Sequence, residues 1–161
     1  MSKREISLNI NGQPYERAVE PRLSLSDFLR DEVGLSGTHV GCEHGVCGAC
    51  SILLDDIPVR ACLMLAVQAD GHVVTTVEGL SNADGSPGTL QDAFQDAHGM
   101  QCGYCTPGML ISAQALLADN DNPSLEEIKD AIGGNLCRCT GYVQIIESIQ
   151  LAATRLREAG Q

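Results

Sequence analysis

Eight cysteines fall into two groups of four: Cys42, Cys47, Cys50 and Cys62, then Cys102, Cys105, Cys137 and Cys139, with none between. Their number constrains the fold most when the compartment is taken into account. The start, "MSKREISLNING", is charged and leads straight into alternation, without the apolar stretch of a secretory signal. No apolar run approaches the roughly 20 residues that span a bilayer. The expectation is a cytoplasmic protein with no membrane span. Disulfides are rare there, so concentrated cysteine points to metal or redox chemistry. Four plus four predicts two sites in two domains. Aromatics are scarce, with two Phe, three Tyr and no Trp, so bound metal would add folding energy that large rings do not supply. The net charge of −11 comes from 21 acidic against 10 basic residues, with no basic run. Phosphate neutralisation is therefore not available, and neither nucleic acid nor an anionic membrane is an expected partner.

The first group reads "GCEHGVCGAC", then Cys62: C-x4-C-x2-C followed by a more distant cysteine. This is the plant-type [2Fe–2S] spacing. Such a cluster carries a formal charge of about −2, which protein dipoles must solvate. Gly41, Gly45 and Gly48 supply a loop able to take conformations closed to other residues and to aim backbone N–H groups at sulfur. A zinc site prefers paired C-x2-C motifs, and the triplet suits a single tetrahedral ion poorly. His39 and His44 lie in or beside the loop, but four cysteines already complete a ligand shell, so both are expected to be bystanders.

The second group combines C-x2-C in "QCGYCTPG" with C-x-C in "NLCRCTGY". Each pair precedes a predicted helix, whose free N–H groups and positive dipole end favour an anionic cluster. By spacing alone, a zinc ion held by four thiolates remains a sound alternative. His72 and His98 stand apart from both groups and are expected to be surface or packing residues. No general base, phosphate loop or nucleophile constellation is evident, so two clusters point to electron transfer, with no substrate site in this chain.

The pattern between the cysteines predicts an α+β chain. "EISLNI" and "QPYERAV" flank the hairpin signal Asn11-Gly12, and "SLSDFLRDEV" offers a short helix capped by Ser24 or Ser26. "SILLDD" turns at Asp55-Asp56 into "PVRAC", and "HVVTTVEGL" is the predicted last strand. A loop-rich stretch, "GLSNADGSPGTL", separates this half from a helical one. Helices are expected at "TLQDAFQDAH", capped by Thr89, and "TPGMLISAQALLA", capped by Thr106 with Pro107 in its first turn. "PSLEEIKDAIGG" carries a Ser124–Glu127 capping box. In "GYVQIIESIQLAATRLREAG" the predicted core face is Val143, Ile146, Ile149, Ala153 and Leu156. The expected division is 1–78, a linker at 79–88, and a four-helix unit at 89–161.

"GCEHGVCGAC" with Cys62, "QCGYCTPGM" and "GNLCRCTGY" closely resemble the iron–sulfur subunit or domain of the molybdenum hydroxylases, the family of xanthine dehydrogenase, aldehyde oxidoreductase and carbon monoxide dehydrogenase. The likeness runs from about Ile6 to Leu156 and takes in all eight cysteines in order. It implies a plant-type ferredoxin-like β-grasp domain followed by a four-helix bundle. It implies that Cys42, Cys47, Cys50 and Cys62 hold the cluster nearer FAD, and Cys102, Cys105, Cys137 and Cys139 the one nearer molybdenum. It implies that Gln101 and Cys139 contact the pterin of a molybdopterin cofactor, in its cytosine dinucleotide form, held by a partner. With the chain ending just after its last helix, molybdenum and FAD are expected on a large and a medium subunit, in a dimer of heterotrimers. The first loop departs from the family's glycine-richer form at Glu43, His44 and Val46, and His44 is expected to make that cluster's potential pH-dependent near neutrality. A free-standing ferredoxin and a zinc-stabilised adaptor are the rival readings.

Overall fold

The computed structural model describes residues 2–160; Met1 and Gln161, the outer ends of the two expected domains, lie outside the described residues. Strand β1 (Arg4–Ile10) buries alternate residues Ile6, Leu8 and Ile10 and pairs antiparallel with β2 (Gln13–Val19). Asn11 and Gly12 join them at φ 52° and 80°, the paired left-handed conformation of a tight hairpin. Asp55 and Asp56, at φ 48° and 66°, make the corresponding turn between β3 (Ser51–Leu54) and β4 (Ile57–Arg60). Strand β5 (Val73–Thr75) runs parallel to β1 and antiparallel to β3, giving the sheet order β2-β1-β5-β3-β4.

One short helix crosses this sheet. It starts as α1 (Leu25–Asp27), with Ser24 rather than Ser26 as its cap, since Ser24 Oγ accepts from Asp27 N at 3.0 Å. It continues as a π turn, Phe28–Glu32, in which Val33 N donates to Phe28 O. Leu25, Phe28 and Leu29 from this helix pack with Ile6, Leu8, Ile10, Ile52 and Val74 from the sheet, all buried. The mixed sheet with its crossing helix is the β-grasp arrangement.

The predicted last strand is shorter than the apolar run suggested. Thr76 N donates to Asn11 Oδ1 at 2.9 Å and Gly79 N to Thr76 O, so the chain leaves the sheet and forms a 3-10 turn at Val77–Leu80. Val77 and Leu80 then pack against the helical core, although the sequence placed Leu80 in a linker.

Four helices make the second half: α2 (Thr89–Asp96), α3 (Thr106–Asp119), α4 (Leu125–Ile132) and α5 (Tyr142–Ala159). The capping box is present, with Ser124 N donating to Glu127 Oε2 and Glu127 N to Ser124 Oγ. Two expected caps shift by one residue. Thr89 and Thr106 are the first helical residues, and Gly88 and Cys105 hold the cap positions. Gln91 Oε1 reaches back to accept from Gly88 N at 2.7 Å, the half of a capping box that a glycine cap can still make. The core joins Leu90, Phe94, Met109, Ile128, Ile145 and Ile149. In α5 the buried stripe is Ile145, Ile149, Ala152 and Ala153, whereas Val143 is 62% and Leu156 38% exposed. Val143 sits two residues from Ile145, which at 100° per residue turns it to the far side of the helix.

Candidate metal centres

The first cysteine loop is shaped by three glycines in two ways. Gly45 and Gly48 adopt φ 81° and 74°, which glycine takes without strain. Gly41 does not; its side is simply close, since a Cβ there would lie 3.2 Å from Cys47 Sγ. Glu43 occupies the left-handed region at φ 57°, where glycine would be unstrained. Cys47 N points at Cys42 Sγ across 3.4 Å. That N–H, helped by the His44 backbone, draws the Cys42 thiol down to about 6. Cys50 lies buried at the loop's base and is pushed up to about 11 by desolvation, with Cys62 beside it on the 3-10 turn Ala61–Leu63.

The second group has the same division. Cys102, exposed, is lowered by the Tyr104 N–H and then by its contact with Cys139. Cys105, at the cap of α3, is pushed up to about 12 by burial, with Cys137 against it. Cys102, Cys105, Cys137 and Cys139 line one narrow recess together with Gln101 and Gly141. A Cβ on Gly141 would meet Gln101 Nε2 at 2.9 Å, so Gln101 reaches from the first pair to the start of α5. Cys137 N donates to the Tyr142 hydroxyl at 2.8 Å, which fixes the C-x-C turn onto that helix.

Among the described residues no three cysteine, histidine, aspartate or glutamate side chains gather for one metal ion. Within each group the thiols lie close enough to perturb one another: Cys42 and Cys47, Cys50 with Cys62 and Cys47, Cys102 and Cys139, Cys105 with Cys137 and Cys102. Each group thus offers four neighbouring thiols, the donor set that a cluster of two irons would take. In each group one thiol is stabilised as thiolate by backbone N–H groups and another is desolvated. The desolvated one loses its proton only when metal charge replaces it.

The histidines divide. His39 Nδ1 contacts Tyr104 O at 2.9 Å and its ring stacks on Tyr104 with centroids 4.9 Å apart. His44 turns its Nδ1 onto the Cys42 carbonyl within its own loop. His72 pairs with Asp55 at 2.5 Å, on the far turn of the sheet. His98 is exposed, as expected of a surface residue, although it borders the second recess.

The two groups face each other across a cleft of about 350 Å³ lined by Cys47, Tyr104, Cys105, Leu136, Cys137 and Tyr142. Leu136 N donates to Cys47 O at 2.9 Å, and Tyr104 OH to Val40 O at 2.7 Å. Arg60 and Asn135 also cross the junction, to Gly134 O and Gly48 O. Sequence inspection missed Tyr104, Arg60 and Asn135, because each acts on a partner 64 or more residues away and carries no local signal.

Comparison with known proteins bears on both halves. A family model described as "2Fe-2S iron-sulfur cluster binding domain" matches residues 8–73, and one described as "[2Fe-2S] binding domain" matches residues 76–150. The gamma subunit of caffeine dehydrogenase from Pseudomonas sp. (strain CBB1) is 59% identical over 93% of this chain and 91% of that one. The small subunit of nicotine 6-hydroxylase from Paenarthrobacter nicotinovorans is 51% identical over 90% of this chain and 87% of its own length. The crystal structure of quinoline 2-oxidoreductase from Pseudomonas putida 86 superposes with a TM-score of 0.93 at 50% identity, covering 98% of each chain. Among the described residues no helix is long and apolar enough to cross a membrane. Two iron–sulfur domain matches spanning both cysteine groups, and relatives alike over nearly their whole length, place this chain among the small iron–sulfur subunits of the molybdenum hydroxylase family.

Proposed function

We propose that the chain passes electrons from a molybdenum–pterin centre on a large partner subunit to FAD on a medium one. Cys102, Cys105, Cys137 and Cys139 hold the [2Fe–2S] cluster nearer molybdenum, and Cys42, Cys47, Cys50 and Cys62 the one nearer FAD. The clusters supply one-electron redox chemistry that thiols alone do not. Gln101 and Cys139 face the pterin, in its cytosine dinucleotide form, from the recess they share. The two halves are two cluster-binding modules, and the holoenzyme is a dimer of heterotrimers. The named relatives act on caffeine and nicotine, which supports an N-heteroaromatic substrate on the large subunit.

The observation that carries this reading is the junction: the residue preceding Cys137 donates its backbone N–H directly to the carbonyl of Cys47. Two thiol groups joined so closely suit a relay better than a free-standing ferredoxin, which needs one cluster. The test is Cys105→Ala in the complex purified with its own partners. Substrate should still reduce molybdenum, while the flavin stays oxidised on the wild-type timescale. Flavin reduction at the normal rate in this variant contradicts the route, and a wild-type chain that purifies alone contradicts the subunit role.

A further inference from the structure

Asn135 is 2% exposed and lies two residues before Cys137. Its Nδ2 donates to Gly48 O at 3.0 Å, and its Oδ1 accepts from Ser112 Oγ at 2.9 Å. A carbonyl can only accept, so the amide orientation is fixed by Gly48. One side chain therefore ties together the first cysteine loop, the C-x-C turn and helix α3, whose first turn follows Cys105. The adjoining amide, Leu136 N, donates to Cys47 O, so two successive carbonyls of the first loop are engaged from one dipeptide. Gly48 O also receives Ser51 Oγ at 2.6 Å, and Arg60 bridges Ser51 Oγ to Gly134 O at 2.5 and 2.7 Å. The approach is close on every side. A Cβ on Gly48 or on Gly108 would lie 2.8 Å from Asn135 Nδ2.

A buried amide with both ends satisfied is costly to disturb, because moving either loop leaves a donor or acceptor unpaired without water. The network thus resists any change in the spacing of the two loops. Spacing matters here because electron tunnelling falls steeply with distance, and the Cys47 C=O···H–N Leu136 hydrogen bond shortens the gap between covalent segments.

We propose that Asn135 is a positioning residue for intercluster electron transfer: it locks the two cysteine loops in one separation and holds Leu136 N on Cys47 O. The inference rests on the relay described above. One electron leaves the site of the helical half, which is oxidised, and enters the site of the β-grasp half, which is reduced, with no bond made and no proton moved.

The test uses the complex with its partners and two variants, Asn135→Asp, which removes the donor at Gly48 with little change of shape, and Ser112→Ala, which only loosens the amide. Both clusters are reduced with dithionite, and the magnetic splitting between their paramagnetic resonance signals is measured. That splitting falls with the cube of distance and needs no substrate. Asn135→Asp should keep wild-type iron and sulfide, yet show a narrowed, heterogeneous splitting, faster hydrogen exchange at the Leu136 amide and slower intercluster transfer after rapid mixing. Ser112→Ala should shift the same readouts in the same direction by less. Should Asn135→Asp lose its iron, a shifted splitting in Ser112→Ala still supports the role. Wild-type splitting, exchange and rate in iron-replete Asn135→Asp overturn it, as does wild-type splitting in Ser112→Ala when Asn135→Asp has lost its iron. Wild-type clusters that substrate cannot reduce would instead contradict the relay itself.

Discussion

Replacing Gly48 by alanine probes the junction most sharply, because two separable costs meet there. Gly48 sits at φ 74°, and an added Cβ would lie 2.4 Å from Gly134 O and 2.9 Å from Asn135 Cα. The left-handed backbone costs an alanine about 1–2 kcal/mol. Forcing a methyl against backbone on both sides costs about 1–3 kcal/mol more, and displacing Asn135 from Gly48 O removes a hydrogen bond of about 1 kcal/mol. Together these reach about 3–6 kcal/mol, a large share of the roughly 5–15 kcal/mol of a typical domain. Gly71→Ala is the control, since φ there is 80° but nothing lies within 4 Å of the new Cβ. Only the conformational cost of about 1–2 kcal/mol should appear in it. With a denaturant slope of about 2 kcal/mol per molar urea, Gly48→Ala should unfold about 1–2 M below Gly71→Ala. Equal midpoints for the two variants would show that the contact between the halves contributes nothing, and the clamp would lose its structural basis.

Asp55 is held below the usual carboxylate range by the His72 side chain and then by the Val73 N–H. Its contribution is therefore fully present above the ordinary carboxylate pKa and is lost as pH falls through its lowered folded value. Asp55→Asn should lower the urea midpoint slightly at neutral pH and converge with wild type as pH falls below about 4, flattening the acid dependence; an unchanged acid slope counts against it. Glu43→Gly should raise stability by up to about 1 kcal/mol by relieving the left-handed strain, and a lower unfolding midpoint would show that the Glu43 side chain outweighs that strain.

The cysteine spacing and the two turns at Asn11-Gly12 and Asp55-Asp56 were legible because their chemistry is local. A φ-positive pair and a C-x4-C-x2-C run each determine their own neighbourhood. The Ser124–Glu127 box was legible for the same reason. Caps at Thr89 and Thr106 were not, since both threonines are already helical and Gly88 and Cys105 hold the cap positions. The expected core face of α5 holds at Ile149 and Ala153, which are buried, and at Ile146, which packs against the core, but not at Val143 and Leu156, which match an apolar stripe whose phase only packing selects. Least legible was the junction, where Asn135 meets Gly48 across 87 positions of sequence. Nothing in "GGNLCRC" distinguishes that asparagine until the first loop is folded against it.

On the proposed function, both cysteine groups carry [2Fe–2S] clusters. The most direct measurement is the iron and acid-labile sulfide content of the natively purified chain, together with paramagnetic resonance after stepwise reduction. About four iron and four sulfide per chain, with two distinguishable signals, are predicted. A colourless chain holding zinc, or one signal with half that iron, would contradict it.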